Sequence, residues 1–284
     1  HALVFPDGRR VATVGSEGLT AIWSTDSGDV LARVPSSGSR PHTVARALGD
    51  DLLATGVAPS LDSTAVIWSA RDGRAQRRIV QPRWPIRRLE ASPCGKRLLT
   101  SGSEELFVWS VASGRLERSF EVPVSWSAKV AVARDGAVVM PCGNGELGVF
   151  YGESRRPDRA LSVGPFNQFV LLPRGDRVFV VTRTHALVWD IASGKRLMEV
   201  AHHSIDASSG VSVSRAVVSA TGDVVAACGA RVTRDPGGLQ KWMVVWDGRT
   251  GLVWHRAAGQ SRPGVIPHYS SIAVGPMASM AEHL

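Results

Sequence analysis

The sequence predicts an all-β fold assembled from a repeated four-stranded antiparallel unit, and three observations lead there. An aromatic residue closes a short apolar run six times, at Trp23, Trp68, Trp109, Phe150, Trp189 and Trp246, in steps of 45, 41, 41, 39 and 57 residues. A β-branched residue precedes it each time (Ile22, Ile67, Val108, Val149, Val188, Val245), and Gly follows five residues after it in five of the six cases (Gly28, Gly73, Gly114, Gly194, Gly251). No segment of about ten residues sustains a helical period, whereas short Val/Leu/Ile runs bounded by Gly, Pro, Asp or Asn recur along the whole chain.

Within each repeat the strands follow in order. A first strand leads into a Gly-containing turn: Pro6-Asp7-Gly8, Pro93-Cys94-Gly95, Arg134-Asp135-Gly136, Pro173-Arg174-Gly175 or Thr221-Gly222-Asp223. A second strand follows it, as in Val11-Ala12-Thr13-Val14, Leu98-Leu99-Thr100 and Val178-Phe179-Val180-Val181. The third strand ends in the aromatic and is apolar at consecutive positions, as in Leu106-Phe107-Val108-Trp109, the pattern of a strand covered on both faces. The fourth strand comes after the Ser-Gly or Asp-Gly turn. A sheet of about 40 residues cannot bury its faces alone, and stacking sheets around an axis buries them, so the repeat predicts a β-propeller.

The expected blades run over about 1–34, 43–80, 86–122, 128–163, 168–200 and 213–257. Ser271-Ile272-Ala273-Val274 reads as the first strand of a partial seventh over 270–284. All 284 residues are expected to form one β-propeller domain. Residue 1 is His and no charged-then-apolar leader follows it, so the chain is expected to be a fragment of a longer one, with seven blades in the parent.

Composition narrows the class. Hydrophobic residues make up 44%, and no run approaches the length of a membrane helix. The three cysteines, Cys94, Cys142 and Cys228, are too few and too scattered for a disulfide scaffold or a zinc pair. The net charge is +8, but 29 of the 33 basic residues are Arg, a skew that a GC-rich genome also produces, and the charges are scattered. Basicity is therefore weak evidence for an anionic partner.

On these residues the chain resembles the WD-repeat β-propeller family over nearly its whole length. The diagnostic pair stands at Trp189-Asp190 and Trp246-Asp247, while Ser follows Trp23, Trp68 and Trp109. In that family an Asp six residues before the Trp joins a hydrogen-bond network with a Gly-His motif. Those positions hold Glu17, Asp62, Ser103, Asn144, Arg183 and Gln240, and Gly-His does not occur, so the resemblance implies a network mostly missing here. The Pro-Asp-Gly style is similar to bacterial propellers that are often appended to signalling enzymes such as serine/threonine kinases.

Alternating strand direction puts the first-to-second and third-to-fourth turns of every blade on one face, called the first face below. The second-to-third hairpins and the inter-blade links lie on the second face. First-face turns read as tight and uniform. Second-face connections vary: Ala58 to Ser63 and Arg231 to Lys241 read as inserted loops, and links run from Pro35 to Pro41, Gln81 to Pro85, Val122 to Trp126, His202 to Gly210 and Gly259 to His268. Insertions collected on one face mark a binding face. Of the four Trp outside the repeat, Trp126 and Trp254 read as packing residues. Trp84, with Arg83, Arg87 and Arg88, and Trp242, with Arg231, Arg234 and Lys241, carry the side chains enriched at binding hot spots.

Catalytic signals are weak by comparison. Gly143-Asn144-Gly145-Glu146-Leu147-Gly148 spells a dinucleotide fingerprint, but it precedes a strand ending in Phe150, and Asn144-Gly145 reads as a hairpin turn. His202-His203 with Asp206 has no second ligand cluster nearby in sequence. Cys142 and Cys228 read as small packed residues. Cys94 reads as an exposed turn residue with no cation but Lys96 to activate it. We expect no catalytic residue, metal or cofactor in this region.

The leading expectation is a non-catalytic, cytoplasmic interaction scaffold that engages a protein partner or other domains of its own chain. One alternative is an anion-binding propeller engaging nucleic acid or acidic peptides through Arg83, Arg87, Arg88, Arg231, Arg234 and Lys241. A second is an enzyme with an axial site assembled from several blades. On the scaffold reading, replacing both Trp84 and Trp242 by Ala removes partner binding and leaves the fold intact, which pull-down alongside circular dichroism checks.

Overall fold

The structure, a computed structural model, describes residues 2–15, 19–35, 44–56, 63–83, 85–121, 130–143, 145–152, 156–182, 185–201, 211–219, 222–232, 239–248, 250 and 252–260. These form twenty-four strands and six sheets, each an antiparallel meander in chain order. The first blade holds β1 (Ala2–Val4), β2 (Arg10–Val14), β3 (Thr20–Ser24) and β4 (Val30–Val34). The second holds β5 (Val44–Leu48), β6 (Leu52–Gly56), β7 (Thr64–Ser69) and β8 (Ala75–Val80). The third holds β9 (Arg88–Ala91), β10 (Arg97–Ser101), β11 (Glu105–Ser110) and β12 (Leu116–Glu121). The fourth holds β13 (Ala131–Val132), β14 (Val138–Gly143), β15 (Glu146–Phe150) and β16 (Arg159–Ser162). The fifth holds β17 (Phe166–Leu171), β18 (Arg177–Thr182), β19 (His185–Asp190) and β20 (Arg196–Ala201). The sixth holds β21 (Val211–Val218), β22 (Val224–Val232), β23 (Leu239–Asp247) and β24 (Val253–Gln260).

This is the predicted all-β, six-blade β-propeller arrangement. Among the described residues no helix is long and apolar enough to cross a membrane. The chain divides into two compact units, His1–Cys142 with Gly148–Arg159, and Gly143–Leu147 with Ala160–Leu284. In the first unit, the first strands of successive blades lie side by side, β1 by β5, β5 by β9 and β9 by β13; in the second, β17 lies by β21. The segment expected to open a seventh blade, 270–284, lies outside the described residues.

The β-branched–aromatic pair has a direct packing reason. Neighbouring residues of a strand point to opposite faces, so a strand between two sheets needs apolar groups at both. Ile22, Ile67, Val108 and Val188 face the following blade, and Trp68, Trp109, Phe150 and Trp246 face back to meet them. Ile22 and Trp68 share one cluster, Ile67 and Trp109 the next, Val108 and Phe150 a third, and Val188 and Trp246 a fourth. Ring contacts reinforce two of these seams: Phe120 meets Phe150 edge-on at 6.3 Å, and Phe179 lies 5.7 Å from Trp246.

The Trp-Ser and Trp-Asp variants do the same work. In each case the side chain after the Trp accepts a backbone N–H of the following turn. Ser24 accepts from Ser27 (3.2 Å), Ser69 from Arg71 (3.3 Å), Ser110 from Ser113 (3.3 Å), Asp190 from Ser193 (2.7 Å) and Asp247 from Thr250 (2.7 Å). The turn also needs its Gly. Gly73 has φ +70°, and a Cβ there would run into the backbone of Arg33 in the preceding blade.

Opposite the aromatic in five blades, the outer strand carries a bulge. Ile22 and Trp23 pair with Ala32 and Val30, leaving Leu31 as the extra residue. The same register places Gln76, Glu117, Leu197 and Trp254 as extra residues in the second, third, fifth and sixth blades. A bulge breaks the ladder of an edge strand, which blunts edge-to-edge pairing.

Three blades contain a hydrogen bond that the sequence reading does not anticipate. The indole N–H donates to a Thr two residues beyond the cross-strand partner of the Trp: Trp23 to Thr13 (2.8 Å), Trp68 to Thr55 (2.8 Å) and Trp109 to Thr100 (2.9 Å). The same register position holds Val180 in the fifth blade, and the buried Trp189 Nε1 has no acceptor among the described residues. Leaving a buried donor unpaired costs about 1–3 kcal/mol. Thr100→Val is therefore expected to destabilise the chain by about 1–2 kcal/mol. Val180→Thr is expected to hold or raise stability, against the usual loss on putting a hydroxyl into a core. Chemical denaturation followed by Trp fluorescence measures both.

Candidate functional site

The sequence-predicted surface centres on the link between the second and third blades. Pro82 and Pro85 lack N–H donors, so the segment cannot continue a ladder. Its ends are tied: the Gln81 N–H donates to the Ser63 carbonyl at 2.8 Å, and the Arg87 N–H donates to the Ser101 carbonyl at 2.8 Å. Ile86 is fully buried in the core between blades two and three and pins the link from below. With both ends and the middle held, Arg83 and Arg87 are left exposed, while Arg88, already in β9, is half-buried.

Arg83 is the one described non-glycine residue with a positive φ, at 71°. Such a conformation costs an ordinary residue about 1–3 kcal/mol and persists where the surroundings enforce it, often at binding sites. Its guanidinium is 76% exposed and stands 3.7 Å from the Glu105 carboxylate, which is 15% exposed. The other oxygen of Glu105 is buried with no hydrogen-bond partner among the described residues. Trp84 lies outside the described residues.

The second predicted group needs a correction. Both ends of the stretch from Arg231 to Lys241 are strand, and 233–238 between them lie outside the described residues. Arg231 belongs to β22 and Lys241 and Trp242 to β23, with Arg231 paired to Gln240 and Trp242 to Gly229 and Ala258. All four strands of this blade are lengthened to eight or nine residues, so the extra chain between repeats is mostly ladder. Extended pairing satisfies the added N–H and C=O groups of the inner strands β22 and β23, which a long loop would leave to water. Arg234 lies outside the described residues, as do Trp126 and the His202, His203 and Asp206 trio.

The first face is also less uniform than expected. Third-to-fourth turns span five residues at 25–29, 70–74, 111–115 and 191–195, but 151–158 is longer. There the Asp158 carboxylate takes over the capping role, accepting the Tyr151 N–H at 2.6 Å. Several first-face arginines are engaged. Arg10 pairs with Asp7 at 2.7 Å, and Arg97 pairs with Glu117 at 2.8 Å. Arg77 in β8 donates to the Val111 carbonyl of the next blade at 3.0 Å, and Arg118 in β12 donates to the Tyr151 and Gly136 carbonyls. Arg77 and Arg118 hold equivalent positions, opposite Ile67 and Val108, and strap one blade to the next.

Among the first strands, Arg46 of β5 grips Glu90 of β9 with two hydrogen bonds of 3.0 and 2.9 Å. Burial pulls the Arg46 pKa down, and the adjacent Glu90 carboxylate more than offsets this, so the net direction is upward. In the fifth blade a cavity of about 430 Å³ is lined by His185, Arg196 and Glu199 among others. Its polar groups face one another, with Glu199 at 2.9 Å from Arg196 and 3.9 Å from His185. No group of three or more His, Cys, Asp or Glu that could hold a metal occurs among the described residues.

Gly143 and Gly145 have φ of 85° and 75° and flank a hairpin between two strands, and no helix follows to receive a pyrophosphate. A Cβ on Gly148 would run into the Cys142 sulfur and the Phe150 ring, so that glycine is a packing requirement. Cys228 is buried, while Cys142 is half-buried against the core. Cys94 is half-buried, and its cationic environment is richer than its neighbours in sequence suggest. Burial alone raises the thiol pKa. Hydrogen bonds from Ser92 (3.4 Å) and from backbone N–H groups, with the Arg97 charge, outweigh it and leave the thiol below its ordinary value.

The sequence matches no protein-family model and no curated protein.

A lowered pKa enlarges the thiolate fraction at neutral pH. Iodoacetamide is therefore expected to label Cys94 ahead of Cys142 and Cys228 in the folded chain, and Arg97→Ala is expected to slow it. Time-resolved peptide mass spectrometry reads both.

Proposed function

We propose that this chain is a non-catalytic protein–protein interaction module of the WD-repeat kind. In this reading it is the interaction or regulatory region of a larger cytoplasmic bacterial signalling protein, such as a serine/threonine kinase. The observation that carries it is the link between blades two and three. Its arginines project from a pinned segment with an enforced positive φ at Arg83, while the described first-face arginines named above are spent on turns and on the next blade. A pinned, charged and exposed surface suits recognition. The WD-repeat assignment is supported by the aromatic register and by the Ser or Asp side chain that caps the turn after each Trp.

The test is affinity capture from source lysate with the parent protein, washed at low and high salt. A discrete protein retained at high salt is expected with wild type and with the first-face control Arg71→Ala. Arg83→Ala/Arg87→Ala is expected to reduce its recovery about tenfold, the scale of a hot-spot loss. Nucleic acid or mixed acidic material released at high salt would establish the anion-binding alternative instead.

A further inference from the structure

We propose that Arg88 receives an acidic side chain of the protein partner, and that the neighbouring Arg46–Glu90 pair keeps Arg88 available for it. This rests on the interaction-module reading and names the chemistry of its partner.

Leu89 is fully buried in the core between blades two and three. Side chains alternate along a strand, so Arg88 and Glu90 share the opposite side of β9, about 6–7 Å apart along the strand. Arg46 reaches that side from β5. Its Nε and Nη2 donate to the two oxygens of Glu90 at 3.0 and 2.9 Å, and its Nη1 donates to the Ala45 carbonyl at 2.8 Å. Both Glu90 oxygens are thus engaged by a planar fork that holds the carboxylate in place. Arg88 has no acceptor among the described residues, although it is half-buried and fixed by the pairing of β9 with Ser101 of β10.

A partly desolvated guanidinium without an acceptor is a costly arrangement, and an anion offering two oxygens relieves it through charge-assisted bonds. The surroundings select the anion. Glu90 lies two residues away, and Glu104 and Glu105 stand on the β10–β11 hairpin beside the same link. These carboxylates repel a polyphosphate backbone far more than a single side-chain carboxylate. The exposed Arg83 and Arg87 at the rim steer an acidic segment inward. Without the Arg46 fork, Glu90, two residues from Arg88 on the same side of β9, is free to turn toward it. Arg46 is therefore a positioning residue for this surface.

The full chain is titrated, by fluorescence anisotropy, with a dye-labelled peptide carrying one glutamate among neutral residues and with a dye-labelled single-stranded oligonucleotide of the same length. Thermal melts accompany every variant. Wild type is expected to bind the peptide more tightly than the oligonucleotide. Arg88→Ala weakens the peptide about tenfold or more, and Arg88→Lys, which keeps the charge and loses the fork, weakens it about threefold to fivefold. Arg46→Met weakens it as well, because Glu90 turns to Arg88, while Arg71→Ala stays within about twofold of wild type. No peptide binding by wild type, unchanged binding by either Arg88 variant, or a preference for the oligonucleotide overturns the proposal. If the partner protein is captured and lost with Arg83→Ala/Arg87→Ala but not with Arg88→Ala, the interaction module stands and only the Arg88 assignment fails. If no partner is captured at all, the reading beneath it fails.

Discussion

The structure depends on one constraint: a third strand that lies between two sheets must be apolar on both faces. A β-branched residue serves the forward seam and an aromatic the backward one, and every described seam within the two units is built from such a meeting. Turn chemistry follows from it. The chain must reverse directly after the aromatic, so the next residue is one whose side chain accepts a backbone N–H. Ser and Asp both do this, which is why the dipeptide varies while the architecture holds.

Hydrogen bonding then separates blades that look alike. Where a Thr stands two residues past the cross-strand partner, the indole N–H is satisfied inside the blade, as for Trp23, Trp68 and Trp109. Trp189 has Val180 in that place. Edge protection is added on the outer strand, where one extra residue opposite the aromatic breaks the ladder.

Charge is divided between architecture and recognition. Arginines at equivalent outer-strand positions, Arg77 and Arg118, bind carbonyls of the next blade, so part of the high arginine content is structural. At the link between blades two and three the same residue type is presented outward. The difference lies in what surrounds each side chain. Carbonyls at turn ends lie within reach of the straps, whereas Arg83 and Arg87 stand beyond a proline-bounded link anchored by Ile86.

By itself the sequence determined the repeat, the four strands of each unit, their order and, to within one residue, where the third strand ends. All of these are local, written in two-residue alternation and turn glycines that a reader of the chain can see. The arginine-rich link was legible too, as a break between blades marked by Pro82 and Pro85. The character of the sixth-blade insertion was not, because length between repeats does not distinguish a loop from lengthened strands; only cross-strand pairing such as Arg231 with Gln240 decides it. Nor could the chain reveal which of its many arginines are spent. Arg46 and Glu90 are 44 residues apart in sequence and meet only because β5 and β9 lie side by side. Whether Glu90 is occupied, leaving Arg88 without an acceptor among the described residues, was therefore decided by tertiary structure, since the Arg46 fork that engages Glu90 comes from another blade.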